Sequence, residues 1–209
     1  MQIVETFKKE KYLWGILFVA ALLRFLFLSL KPPHFDEGIV GWWVDQIIAM
    51  GYYPYDPTNY HGPLPYYLLF FSKLLFGRSV WAIRLPGVLF GVGSVYLVTQ
   101  FKEFIGKRTS YLAALFMAVS PAMAFYSRYT PHEVGLLFFS LLTVLGFLRY
   151  NEYRDDKSLW LLAIGFAGMM TTKETFLIHV VCFSLALLTL YILEKITKMP
   201  QYPIASKNY

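Results

Sequence analysis

The sequence predicts an all-α membrane protein: about six transmembrane helices, with two juxtamembrane helices in the first outer loop. Three observations predict this class. Hydrophobic residues make up 57% and aromatic residues 19% of the 209 positions, and the mean hydropathy is +0.48, well above an ordinary soluble domain. Apolar runs of spanning length recur along the chain. Between them lie short clusters of Lys and Arg, which act as topology signals and headgroup contacts. The same clustering argues against nucleic acid as a partner, which a net charge of +6 would otherwise invite. Cys182 is the only cysteine and lies inside an apolar run, so it reads as a small core hydrophobe and no intrachain disulfide forms. Residues 1–198 read as one transmembrane module, with residues 31–79 as its first outer loop and 199–209 as a tail.

The first apolar run, residues 12–30, follows Lys8, Lys9 and Lys11. It is too long for a cleaved signal, contains Arg24, and leads into Lys31-Pro-Pro without a small-residue cleavage site, so it reads as a retained span with its amino end inside. As a helix it would cover about 28 Å and carry Arg24 in its outer half. Residues 37–50 place Ile39, Val40, Trp43, Val44, Ile47 and Ile48 on one stripe, with Glu37, Gly41 and Asp45 opposite. Gly51 stops this helix, and Trp42 and Trp43 suit headgroup depth, so it is expected to lie on the membrane.

Residues 64–76 would span only about 20 Å as a helix, short of a ~30 Å hydrocarbon core. Charge decides their placement. If they stay at the outer interface, the clusters around Lys102–Arg108, Arg149–Lys157 and Lys195–Lys198 all fall inside with the Lys-rich amino terminus. If they cross, those three clusters land outside. The remaining spans are then 80–101, 110–125, 133–148, 158–170 and 176–193. The fifth span, 158–170, is short and needs Thr171 and Thr172 to approach a crossing. Both termini are expected on the cytoplasmic side of a prokaryotic cell membrane.

On this map the chemically capable residues gather at the outer face: Arg24, His34, Asp36, Glu37, Asp45, Asp56, His61, Arg84, Arg128, His132, Glu133, Lys173 and Glu174. A cavity opening there suits a lipid-linked substrate better than a transporter, whose ionisable groups favour the midplane. Asp36 sits where an N-cap is favoured, and also where a partly desolvated carboxylate could act as a general base. Arg24 reads either as a snorkelling cation or as one facing a polar cavity, and Arg128 and Lys173 either as snorkelling or ion-paired with Glu133 and Glu174, or as anion ligands. His61 either braces a turn or contacts substrate. Tyr52, Tyr53, Tyr55, Tyr60, Tyr66 and Tyr67 read as an interfacial belt. His34, Asp36, Glu37, His61, His132 and Glu133 show no metal-ligand spacing, so no metal or other cofactor is expected, a divalent ion remaining the alternative.

Taken in order, Arg24, Asp36-Glu37, His61-Gly-Pro-Leu-Pro-Tyr-Tyr67, Ile83-Arg-Leu-Pro-Gly-Val-Leu-Phe-Gly91, and Ser120-Pro through Tyr126-Ser-Arg128 resemble the GT-C superfamily of membrane glycosyltransferases. The chain is most similar to the protein-mannosyltransferase and aminoarabinose-transferase branch, and within it to prokaryotic, flippase-activity-associated relatives with a Thr-Lys-Glu-Thr turn, here residues 172–175. The resemblance covers nearly the whole chain. It implies transfer of a sugar from a polyprenyl-phosphate carrier to a protein, glycan or lipid acceptor at the outer face, with inversion and without a metal in this branch. Asp36 is then the base, with Glu37 positioning it or binding the acceptor. Arg128 is the first candidate for the carrier phosphate, with Lys173 and Arg24 behind it, and His61, His132, Glu133 and Glu174 complete the expected substrate-binding set. Members of the superfamily are usually much longer, so the chain is expected to be a fragment, or a module completed by another chain. A non-catalytic lipid-linked-sugar binder or flippase-associated protein, and more remotely a small transporter, are the alternatives from other classes.

Overall fold

The computed structural model describes residues 10–54, 56, 58, 61–129 and 132–197. The expectations for Lys8, Lys9, Tyr55, Tyr60, Lys198 and the 199–209 tail lie outside the described residues. Within them every named element is helical: α1 (Lys11–Phe25), α2 (Phe35–Met50), α3 (Leu64–Phe76), α4 (Val80–Gln100), α5 (Lys102–Ile105), α6 (Lys107–Val119), α7 (Pro121–Ser127), α8 (Glu133–Tyr153), α9 (Asp156–Thr172) and α10 (Phe176–Thr197). Three segments are long and apolar enough to cross a membrane: Val80–Ile105, Glu133–Tyr153 and Phe176–Thr197. The α6–α7 pair, bent by 63°, reaches that length only when its two helices are taken together. At 15 residues α1 covers about 22 Å, and α9 has 17 residues. Both are shorter than a full span.

The first helix ends earlier than its apolar run predicts. Leu26 turns extended, with ψ 126, and Phe27 takes a left-handed φ of 55. The freed strap then runs across the start of α4, where Arg84 Nη1 donates to Leu28 O at 2.7 Å and Lys31 O at 3.2 Å, and Nη2 to Pro32 O at 3.2 Å. These long-range bonds replace helical ones that the apolar composition alone would have favoured.

His34 caps α2. Its Nδ1 accepts from Asp36 N–H at 3.4 Å and its own N–H donates to Glu37 Oε2 at 2.8 Å, a capping box. Gly51 closes the helix with a φ of 83. Val40, Val44 and Ile47 pack on Tyr53, Tyr66 and Leu69, joining α2 to α3. Glu37 shares this buried face, instead of lying opposite it with Gly41 and Asp45. Asp45, half-exposed, pairs with the buried Lys73 of α3 at 2.9 Å and with Arg78 at 3.3 Å.

Helix α3 begins and ends at the same end of the bundle. Ahead of it, Gly62 N–H donates to Thr172 O at 3.3 Å at the close of α9; near its far end, Ser72 Oγ donates to Ala82 O at 2.6 Å at the opening of α4. That carbonyl is available because Pro86, four residues on, has no N–H. The segment predicted to span residues 110–125 is likewise broken by a proline. Ser120 caps α7 and Pro121 follows at its first turn, which leaves Met117 O without its helical donor. Opposite the site, the bundle is tied by Lys107–Glu10 at 3.2 Å and Arg149–Glu103 at 2.6 Å.

Helices α8 and α9 approach most closely because glycines line their contact. A Cβ on Gly146 would lie 2.4 Å from Leu162 N, and one on Gly165 2.6 Å from Thr143 N, in both cases against backbone that cannot yield. Gly15, on the exposed side of α1, would meet nothing within 4 Å. Thermal unfolding in detergent should therefore separate these positions: Gly146→Ala and Gly165→Ala each lose about 1–3 kcal/mol by overpacking, whereas Gly15→Ala gains up to about 1 kcal/mol of helix propensity.

Candidate functional site

The site begins with a buried ion pair. Arg84, near the start of α4, donates from Nε to Glu37 Oε1 at 2.8 Å and from Nη2 to Glu37 Oε2 at 2.7 Å, and Glu37 is only 1% exposed. Such a bidentate pair balances a large desolvation cost only when its remaining donors are also satisfied. The strap carbonyls of Leu28, Lys31 and Pro32 do that. Glu37 thus locks the strap, α2 and α4 together, and has almost no surface to offer a ligand.

Asp36, one residue earlier, is the accessible carboxylate, with its side chain 60% exposed. The Tyr129 hydroxyl donates to Asp36 Oδ2 and lies 2.7 Å from His34 Nδ1. Burial, together with the hydrogen bond to Asp36 and the charges of Asp36, Glu37 and Glu133, raises the Tyr129 phenol above its ordinary range, so it stays protonated. Beside this group opens a cavity of about 710 Å³, walled by Phe27, Leu28, Leu30, Pro121 and Phe125 and bearing the cations Lys31 and Arg128. His34 and Tyr129, the two partners of Asp36, line it as well. Arg128 is anchored by Nη2 on Phe27 O at 3.0 Å and Nη1 on Leu23 O at 3.4 Å. Apolar walls with two cations suit an amphiphile bearing an anionic head.

A second cluster lies around the starts of α8 and α10. Lys173 Nζ reaches Glu133 Oε1 at 2.6 Å, His61 Nδ1 lies 3.4 Å from Glu174 Oε2, and an isolated bridge joins the backbones of His61 and Lys173. The carboxylates of Glu133 and Glu174 are 50% and 46% exposed. Gly62 makes this approach possible, since a Cβ there would lie 2.1 Å from Thr171 O. Beneath, the His132 ring packs on His61 with centroids 4.2 Å apart. Asp36 contributes to the field at His132, and Glu133 to that at Tyr129, so the two clusters are electrostatic neighbours.

Five of the sequence-predicted residues, His61, His132, Glu133, Lys173 and Glu174, therefore come together, while Asp36 and Arg128 flank the cavity. Arg24 is placed differently. It is fully buried and donates to Ala20 O at 3.1 Å, Ala118 O at 3.0 Å, Met117 O at 3.2 Å and Ser127 Oγ at 3.2 Å. It closes the break between α6 and α7 and is not among the residues lining the cavity. Among the described residues no three of His, Cys, Asp and Glu converge as a metal-ligand group. Sequence reasoning missed the roles of Arg84 and Tyr129. Arg84 stood inside the Ile-Arg-Leu-Pro string and Tyr129 directly after Arg128, but neither position reveals its partner.

Burial, reinforced by His61 and Lys173 and opposed by Glu133 and Asp36, pushes His132 down to about 3. The imidazole is then neutral in the folded protein wherever an unfolded one, near 6.5, would bind a proton. The stability this contributes should be fully present well above pH 6.5 and be lost as the pH drops through 6.5 toward 3, by roughly 1 kcal/mol for each unit once an unfolded imidazole is protonated. Unfolding midpoints measured at pH 7, 6 and 5 should show this slope, and His132→Phe should flatten it.

Comparison with known proteins bears on what this geometry serves. No solved structure matches the chain. In Bacillus subtilis (strain 168), a protein described as "Putative mannosyltransferase YkcB" is 28% identical over 171 residues, covering 76% of this chain and 24% of that protein. A second, "Putative mannosyltransferase YycA" from the same organism, is 30% identical over 136 residues, covering 61% of this chain and 20% of that protein. The chain thus spans about a quarter or less of the length of these relatives. Residues 60–204, well over half of the chain, match the family described as dolichyl-phosphate-mannose-protein mannosyltransferase. That stretch holds Arg84, Arg128, Tyr129 and the whole second cluster, while Arg24, Asp36 and Glu37 precede it. The chain is a membrane protein and belongs to the dolichyl-phosphate-mannose-protein mannosyltransferase family.

Proposed function

We propose that the chain carries the donor side and the base of a glycosyltransferase that moves a sugar, with mannose the first candidate, from a polyprenyl-phosphate carrier to a hydroxyl acceptor. The observation that carries this reading is the exposed Asp36 carboxylate beside a cavity of about 710 Å³ that is apolar in its walls and cationic at Lys31 and Arg128. In the reaction Asp36 takes the proton of the acceptor hydroxyl. The acceptor oxygen attacks the anomeric carbon, the bond from that carbon to the carrier phosphate breaks, and its electron pair leaves on phosphate. One displacement inverts the anomeric centre. Phosphate is a stable anion and needs no acid, only cations to hold it, a role assigned to Arg128 and Lys31.

His61, His132, Glu133, Lys173 and Glu174 form the substrate-binding set, and the acceptor is a protein, glycan or lipid. Glu37 and Arg24 serve by position: Glu37 fixes the start of α2, and Arg24 fixes the bend that delivers Arg128. In this reading residues 1–198 form one GT-C-like module of about six crossings, α1 and α9 included, followed by the 199–209 tail. The site end faces outward from a prokaryotic cell membrane and both termini are cytoplasmic. The ion pairs and basic residues at the opposite end of the bundle, around Lys107 and Arg149, support that orientation. Another chain contributes to the acceptor side.

The test uses proteoliposomes supplied with labelled polyprenyl-phosphate mannose. Asp36→Asn should lower transfer by about 10²-fold or more while membrane insertion and unfolding temperature are unchanged. Undiminished transfer by that variant would remove Asp36 as the base. Binding of the labelled carrier without product, with a natural acceptor present, would favour a non-catalytic lipid-handling role instead.

A further inference from the structure

Tyr129 neither gives nor takes a proton in the proposed transfer, yet it makes the direct contact to the base. We propose that Tyr129 is a positioning residue for the transfer: its hydroxyl holds Asp36 by Oδ2 and leaves Oδ1 to receive the acceptor's proton. The inference rests on Asp36 being the base. Asp36 needs such a hold because it is exposed and does no capping work, which His34 and Glu37 perform instead. Its contacts are the Tyr129 hydroxyl and, 3.7 Å away, His34 Nδ1. An exposed carboxylate with only a side-on neighbour would sample several rotamers, few of them productive.

Tyr129 is itself held from several directions. Its ring meets His34 edge-on at 4.9 Å and stacks on Phe125 at 6.1 Å. Its backbone lies against α4, where a Cβ on Gly87 would fall 2.9 Å from Tyr129 O. The preceding residue, Arg128, is tied to the carbonyls of Leu23 and Phe27. The phenol therefore reaches Asp36 from a fixed base, and its hydroxyl is a neutral donor. The charged and titratable groups facing it are Asp36, His34, Glu133 and Glu37, the last locked on Arg84.

Tyr129→Phe keeps the ring packing and removes only the hydroxyl. It should lower kcat about tenfold to a hundredfold, the cost of a carboxylate displaced by about 1 Å. The KM for polyprenyl-phosphate mannose should stay within about twofold, because Arg128 and the cavity walls are untouched. Unfolding temperature should not change. Tyr126→Phe, whose ring rests on Phe125 at 5.6 Å, should leave the activity as it is. In an Asp36→Glu background, whose carboxylate is already moved off the Tyr129 hydroxyl, Tyr129→Phe should lower kcat by less than about twofold further. An unchanged kcat in Tyr129→Phe, a loss confined to KM, or an undiminished loss in the Asp36→Glu background would each overturn the positioning role. Transfer that survives Asp36→Asn would overturn the base and this role with it; transfer lost in Asp36→Asn but kept at full rate in Tyr129→Phe overturns the positioning role alone.

Discussion

The guanidinium of Arg84 holds three parts of the chain in register: the strap after α1, the start of α2 and the start of α4. Two of its contacts go to the buried Glu37 carboxylate, and three to main-chain carbonyls of the strap. Removing either charge would strand the other in a low-dielectric interior, typically at about 3–5 kcal/mol. Because Glu37 is also the returning half of the capping box, the pair sets where α2 starts and hence where Asp36 stands. The placement of Asp36 thus follows from a buried salt bridge at the wall of the cavity.

Arginine serves backbone in two other places. Arg24 takes the carbonyls left open where Pro121 breaks α6 from α7, and Arg128 takes those at the end of α1. In an apolar medium each freed carbonyl needs a donor, and a guanidinium with five N–H groups can serve several at once. Helix breaks are therefore affordable at this end of the bundle, and breaks are what open a cavity between the strap and α7. The rigid α8–α9 pair, joined through glycine contacts, supplies the frame on which the second cluster is mounted.

Charge is divided between the two halves of the site. The cavity side carries Lys31 and Arg128 besides the internally neutral Arg84–Glu37 pair. Across Tyr129 and the neutral His132, Lys173 pairs with Glu133, and Glu174 lies against His61. Asp36 sits at the boundary. Its carboxylate is bound by neither cation, its own contacts being the Tyr129 hydroxyl and His34.

The sequence by itself determined the helical class, the bounds of α3, the starts of α4, α8 and α10, and the gathering of ionisable residues at one end. All of these rest on hydropathy, caps and proline, which act over one or two turns. It also carried the family, through the order of short motifs. Only the tertiary structure decided that the apolar stripe of α2 packs on α3 with Glu37 on the same buried face, where α1 stops, that Arg24 closes the α6–α7 break, and that Tyr129 touches Asp36. These outcomes depend on partners far apart in the chain: Arg84 meets Glu37 across 47 positions, Tyr129 meets Asp36 across 93, and Arg24 meets Ser127 across 103. Local periodicity assigned Glu37 to a polar face because it scored a carboxylate as solvent-seeking. A guanidinium arriving from α4 reversed that, giving the buried charge a bidentate partner.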